Sequence, residues 1–378
     1  MTKEQTPLKW KFKTGDSIYL SPAVSEGVVL FGSYDKFLYA LDAKTGEEKW
    51  KFETGDEVSS SPVVSDSVVY FGSKDSHLYA LDIKTGEEQW KFKTGDNVTS
   101  SPAISEGVVY FGSNDNHLYA LDKKTGKIKW HFDTGKMVTS SPKIYNDSVY
   151  VGVDKLYAFD RKTGEVKWIY ETGGGIINEI FISNGIIYFG SVHIHLYLVD
   201  ANTGNELWKF KIGIGVLNEN IEYTPGNFVS SPMEVSDDMV CFGSMVNYWD
   251  KTEPENHLFV VDIKNRVEKW RFFTGGEVSS APAASGDVIY IGSNDTYLYA
   301  LDKNTGEKLW KFKTQDGIES SPAASDGVVY FGSKDNYLYA VQDPCLVEWL
   351  KPAGFGRYAD PDTDEVIAKM QEGKLVAV

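Results

Sequence analysis

Trp50-Lys51-Phe52-Glu53-Thr54-Gly55 recurs as Trp90-Lys91-Phe92-Lys93-Thr94-Gly95, 40 residues on. Between these marks lie Ser61-Pro62, Val69-Tyr70-Phe71-Gly72-Ser73, Leu78-Tyr79-Ala80-Leu81-Asp82 and Lys84-Thr85-Gly86. Self-similarity at a fixed period of this length is the mark of a repeat architecture, so the period is read before any single residue. It also sorts residues. A side chain present in every repeat builds the repeat, and function belongs where the pattern breaks.

Each unit reads as four short strands: Ser61 to Val64, Val68 to Gly72, Leu78 to Asp82 and Glu88 to Phe92. All are rich in β-branched and aromatic residues and bounded by turn residues. Gly86 suits a turn of positive φ, and Pro62, which has no N–H to donate, belongs at a strand start. Four-stranded antiparallel units at this period predict an all-β fold, a β-propeller. First strands begin at Ser21, Ser61, Ser101, Ser141, Glu179, Ser231, Ala281 and Ser321, which makes eight. Tryptophan-bearing fourth strands lie at Trp10, Trp50, Trp90, Trp130, Trp168, Trp208, Trp270 and Trp310, also eight. The array opens on an orphan fourth strand at Trp10 and ends on a blade lacking one. The N-terminal strand is therefore expected to complete the eighth blade, which closes the ring and removes two exposed sheet edges. Residues 1–343 are assigned to the propeller and 344–378 to a C-terminal extension. Within the extension, Asp362 to Gly373 reads as a short helix, with an Asp cap, acidic residues in the first turn and Gly373 as a stop.

Composition narrows the function classes. The 378 residues are 42% hydrophobic and 14% aromatic, enough for a packed core. The net charge of -16 argues against nucleic acid, which rewards clustered Lys and Arg. No stretch approaches the roughly 18 apolar residues of a membrane span. Met1-Thr2-Lys3-Glu4-Gln5 shows no signal peptide, although a mature start would look the same. Cys241 and Cys345 do not make a disulfide framework. The expectation is a monomeric propeller.

Ala40-Leu41-Asp42-Ala43-Lys44-Thr45-Gly46-Glu47-Glu48-Lys49-Trp50 resembles the tryptophan-docking motif of the PQQ-like repeat family, Ala-x-Asp-x-x-Thr-Gly-x-x-x-Trp. It returns at Ala80 to Trp90, Ala120 to Trp130, Ala158 to Trp168 and Ala300 to Trp310, and the resemblance covers residues 8 to 343. It implies that the eight tryptophans dock on the neighbouring blade. The family includes quinoprotein dehydrogenases, which hold pyrroloquinoline quinone (PQQ) at the propeller centre with a Ca²⁺ site of Glu, Asn and Asp. Many of these carry a disulfide of adjacent cysteines, a feature missing from this chain. The family also includes eight-bladed outer-membrane assembly lipoproteins, cofactor-free scaffolds that this chain resembles in size and blade number. Their lipobox cysteine is missing here. The resemblance leans the compartment, otherwise open, towards the extracytoplasmic side.

Repeats 5 and 6 break the pattern. Repeat 6 carries insertions from about Ile214 to Val229 and from Met245 to Asn256. In an up-and-down blade the fourth-to-first and second-to-third connections emerge on one face, so both insertions decorate that face. Long loops on a rigid scaffold are disproportionately functional. A tolerated surface insertion is the bland alternative; Phe228, Tyr248 and Trp249 favour a binding surface, since interface anchors are often aromatic. Asn178-Glu179 stands where other blades have Ser-Ser, and Asn218-Glu219 has the same offset after its own tryptophan. Such groups could hydrogen-bond the unusual loops, which is favoured, or hold a divalent cation or polar ligand.

His77, His117, His195 and His257 share one repeat position with Phe37, Tyr297 and Tyr337, an interchange that indicates packing rather than metal ligation. Off that position, His193 makes His-x-His with His195, a spacing that puts both rings on one side of a strand. No third ligand joins it in sequence. Nothing resembles a nucleophile elbow, a phosphate loop or a catalytic triad, and no catalytic residue is expected. The leading expectation is a non-enzymatic scaffold engaging a protein or peptide through the face over blades 5 and 6, with no cofactor. The alternative is a ligand-binding propeller holding PQQ or a metal ion.

Overall fold

The structure, a computed structural model, describes residues 8–172, 176, 179–190, 195–211, 228–229, 234–236, 239–246, 255–345, 357–359, 366–371 and 374–377. Eight antiparallel sheets follow one another along the chain as the blades of a ring. Blade 2 shows the unit: Val63–Ser65, Val68–Gly72, His77–Asp82 and Glu88–Lys93 pair in sequence order. Its second and third strands read as near-continuous apolar runs because neighbouring blades cover both their faces; Val69, Phe71, Leu78, Ala80 and Leu81 are fully buried. Between the third and fourth strands the register slips after Ala80↔Trp90 to Leu81↔Glu88. This bulge recurs in the third-to-fourth pairing of blades 1 to 7 and increases the local twist.

The core sits between blades, in one apolar cluster for each of the eight junctions. At the first junction, Leu30, Leu38 and Ala40 of blade 1 meet Val69, Phe71 and Tyr79 of blade 2. Burying one such Phe contributes about 2–3 kcal/mol, so the ring is held by many similar junctions. The N-terminal strand Leu8–Lys13 pairs antiparallel with Tyr337–Gln342, Trp10 opposite Ala340 and Phe12 opposite Leu338. Blade 8 is thus completed by the start of the chain, and Phe31, Tyr39 and Leu41 of blade 1 pack with Val328, Tyr330 and Leu338 across the closure.

Two expectations are corrected. The segment expected to be helical holds the strand Val366–Gln371, paired with Arg357–Ala359 and Lys374–Ala377 in a three-stranded sheet. No helix occurs among the described residues. The β-branched pair Val366-Ile367 favours a strand. The register Gln371↔Lys374 leaves two residues between strands, so the Gly373 taken as a helix stop equally suits a hairpin connection. The second insertion of repeat 6 is likewise not wholly loop. Met239–Val246 and Glu255–Asp262 run eight residues each, extending the hairpin through Met245, Val246, Glu255 and Asn256. Phe228–Val229 adds a further short strand, Phe228 opposite Met245 and Val229 opposite Ser244.

Candidate functional site

The fourth-to-first connections and second-to-third turns meet on one face of the ring, and a carboxylate ties them across blades. Asp75 Oδ2 accepts the N–H of Gly55 from blade 1 at 2.7 Å and the Tyr79 hydroxyl at 2.6 Å, while Oδ1 accepts the N–H of His77 at 3.0 Å. The same clamp joins Gly15 to Asp35, Gly95 to Asp115, Gly275 to Asp295 and Gln315 to Asp335. Blade 4 lacks it: its turn is shorter, with Val153 N–H donating to Lys155 O at 2.8 Å, and Gly135 N–H donates instead to Asp133 at 2.8 Å. Sequence puts His193 at this position in blade 5, outside the described residues.

Nearer the axis, the Ser-Pro or Ala-Pro pair that starts most inner strands links neighbouring blades in a chain of hydroxyl bonds among the described residues. The N–H of Ser21 donates to Ser61 Oγ, that of Ser61 to Ser101, that of Ser101 to Ser141, that of Ala281 to Ser321 and that of Ser321 to Ser21, all at 2.8–3.2 Å. Glu179 interrupts this chain of bonds. Ser141 Oγ donates to Glu179 Oε1 at 2.6 Å, and Lys143 Nζ lies 2.9 Å from Oε2. Enclosure by protein works against the charge, but the Lys143 ammonium and the Ser141 hydroxyl outweigh it and hold this carboxyl below the usual range. Sequence reasoning missed Lys143. The available signal was its position, which Ala23, Val63, Ala103, Ala283 and Ala323 occupy in other blades.

The described donors do not fit a divalent-cation cage. Among the described residues no three His, Cys, Asp or Glu side chains gather to hold a metal, and the Glu179 carboxylate already faces an ammonium, which a second cation would have to displace. Cys241 and Cys345 are in no disulfide among the described residues. The repeat histidines pack on the aromatic two residues on, with ring centroids 5.7 Å apart for His77–Tyr79, 5.6 Å for His117–Tyr119, 5.9 Å for His195–Tyr197 and 5.5 Å for His257–Phe259. Phe37–Tyr39 and Tyr337–Tyr339 keep the same geometry at 5.9 Å, so the position selects a ring. Of the residues singled out from sequence, Asn178, His193, Asn218, Glu219, Tyr248 and Trp249 lie outside the described residues. Phe228 is described as backbone, and its pairing with Met245 brings the two insertions of repeat 6 together.

Tryptophan docking works between blades. Trp50 Nε1 donates to Ile83 O of the next blade at 2.9 Å, and Trp10, Trp90, Trp130, Trp168 and Trp270 make the equivalent bond to Ala43, Lys123, Arg161, Ala201 and Lys303. Trp208 lies beneath the Arg266 guanidinium, 5.8 Å from its ring centroid, and Arg266 stands where other blades have the turn glycine. Trp310 donates to the carboxylate of Asp343 at 3.0 Å, a buried side chain that also accepts the Tyr290 hydroxyl.

Comparison with known proteins sets this geometry in context. The model of the family described as outer membrane protein assembly factor BamB matches residues 5–100, 78–179 and 255–378. Among the curated proteins nothing matches. BamB from Moraxella catarrhalis superposes with a TM-score of 0.70 at 16% identity, over 89% of this chain and 99% of that one. The computationally designed Ika8 protein gives 0.72 at 19% identity, over 87% and 97%. Quinohemoprotein alcohol dehydrogenase from Comamonas testosteroni gives 0.74 at 17% identity, over 89% and 76%. At these identities the solved structures establish a shared fold.

Proposed function

The chain belongs to the family described as outer membrane protein assembly factor BamB, and from that premise we propose that it is a non-enzymatic scaffold that binds a protein or peptide. The binding surface is the face over blades 5 and 6. The observation that carries this reading is the joining of the two insertions of repeat 6: Phe228–Val229 pairs with Ser244–Met245, which lengthens one blade on one face while the other blades keep five-residue second strands. A lengthened hairpin on a rigid ring gives a partner a firm platform. Asn178, Glu179, His193, Asn218, Glu219, Phe228, Tyr248 and Trp249 are the residues proposed to surround it. The assembly task in the family description supports an extracytoplasmic setting and a protein partner for this chain.

The test shortens residues 247–254 to a two-residue turn and compares cross-linked partners of the full chain and the variant in the native host. Selective loss of a partner, with an unchanged thermal transition, supports the reading, and an identical partner set overturns it. PQQ or a metal ion as resident cofactor is the competing reading. A quinone absorbance band or a stoichiometric metal in the purified chain would replace the scaffold with that one.

A further inference from the structure

The residue after each tryptophan is a cation lying across an aromatic of the third strand in six blades. Lys11 sits 4.3 Å from the Tyr337 centroid, Lys51 5.1 Å from Phe37, Lys91 5.8 Å from Tyr79, Lys209 4.9 Å from Tyr197, Arg271 5.0 Å from Phe259 and Lys311 4.0 Å from Tyr297. Blade 3 places His131 there, its ring stacked near Tyr119 at 5.9 Å. Blade 4 places Ile169 there, 46% exposed. Two residues before the tryptophan, Glu48, Glu88, Glu206, Glu268 and Lys308 are charged, whereas blade 4 has Val166, 37% exposed. Only blade 4 is apolar at both positions. The one cation of its outer strand, Lys167, is drawn back: Nζ donates to Asp147 O and Ser148 Oγ, each at 2.9 Å. Exposed Ile128 on the outer strand of blade 3 and exposed Leu207 on that of blade 5 flank it.

Charge along an outer strand is how sheets keep other strands from pairing with their free edge. Val166–Tyr170 ends its sheet, and every second residue of such a strand directs its N–H and C=O outward. We infer that the outer edge of blade 4 takes up an extended strand of a partner protein, alternately apolar and flanked by basic residues. The free main-chain groups require an extended segment. Val166 and Ile169 ask for apolar side chains, while exposed Glu165, with Glu171 paired to Lys155 at 2.8 Å and Glu206 accepting the Tyr170 hydroxyl, on a chain of net charge -16, asks for basic flanks. The inference rests on the scaffold reading only in taking the partner to be a protein, and it uses a different surface.

The probe is a synthetic peptide, Lys-Val-Thr-Val-Thr-Val-Lys with blocked ends, titrated into the full chain while amide hydrogen exchange is followed. Binding with new protection in Val166–Tyr170 is expected. Ile169→Lys and Val166→Glu, which restore the charges of other blades, should each weaken it at least tenfold and leave the melting transition in place. Replacing the central Val by Pro, or both Lys by Glu, should also weaken it. The variant shortened at 247–254 should bind as the parent does, so failure of the blade 5 and 6 face is told apart from failure here. Absence of binding at millimolar peptide, equal binding by Ile169→Lys, or protection on another blade's edge would each overturn the inference.

Discussion

Trp50 of one blade packs against Gly86 of the next so closely that a Cβ on Gly86 would lie 2.7 Å from Trp50 Cδ2, and Gly86 holds a φ of 73°. Both facts forbid a side chain. Gly86→Ala combines left-handed strain with a clash against a ring fixed by its bond to Ile83 O, and should cost about 2–4 kcal/mol. Trp50→Phe keeps most of the packing, loses the bond, and should cost about 1–2 kcal/mol. Urea titrations followed by far-UV circular dichroism measure both. A Gly86→Ala midpoint equal to the parent's would contradict the docking account.

The turn aspartates give the fold a signed pH dependence. The backbone N–H groups of Thr85 and Lys84 hold the Asp82 carboxyl below its ordinary value, and Asp42, Asp160 and Asp200 sit in equivalent turns with carboxyls lowered in the same way. For Asp115, burial pushes the carboxyl up, but bonds from Gly95, Tyr119 and His117 outweigh it. A depressed folded pKa gives stability that is fully present above the unfolded value, about 3.9 for Asp, and is lost as pH falls through the folded one. Melting temperature should therefore drop below about pH 4. Asp115→Asn should lower stability at pH 7 and flatten the acid limb; an unchanged limb in that variant would assign the dependence elsewhere.

The ring was legible because repetition multiplies every weak signal. Val69-Tyr70-Phe71 alone is an ambiguous apolar run, but with Trp50 and Trp90 at a constant offset it can only be a blade, and the orphan Trp10 announced the closure. The C-terminal segment had no such redundancy. Asp362 to Gly373 satisfies helix-stop and hairpin rules equally, and tertiary pairing chose the strand. At the candidate site, the break at Glu179 was visible as a departure from Ser-Ser. Lys143 departs likewise from the Ala or Val of other blades, but its pairing with Glu179 was not legible, because the contact crosses from blade 4 to blade 5.

The clamps predict where the ring opens first. Asp75 satisfies three donors from two blades, so Asp75→Ala should cost about 2–4 kcal/mol. At the junction of blades 3 and 4 the bond from Gly135 stays within blade 3. Native-state hydrogen exchange should therefore show lower opening free energies for amides of blade 4 than for their equivalents in blades 1 and 2. Equal protection across the three blades would show that apolar packing alone sets junction strength.

Closure by the first strand can be tested by moving it. Trp10 Nε1 and the Tyr330 hydroxyl both donate to Ala43 O, at 3.2 and 3.0 Å, so blade 8 grips blade 1 partly through Leu8–Lys13. Phe12 adds ring contacts to Phe31 and Tyr39 with centroids 6.2 and 5.4 Å apart. Removing residues 1–13 bares the Tyr337–Gln342 edge and uncovers both rings. A bare apolar-backed edge recruits other strands, so the truncated chain should melt earlier and self-associate in sedimentation velocity. Joining the same strand after residue 345 through a short turn gives blade 8 the connectivity of the other seven. That permutant should recover the parent's melting temperature and sedimentation coefficient. If truncation left both unchanged, the ring would be closed by the blade 8 to blade 1 core alone. If the permutant failed to recover them, the strand would have to act from the N-terminal side.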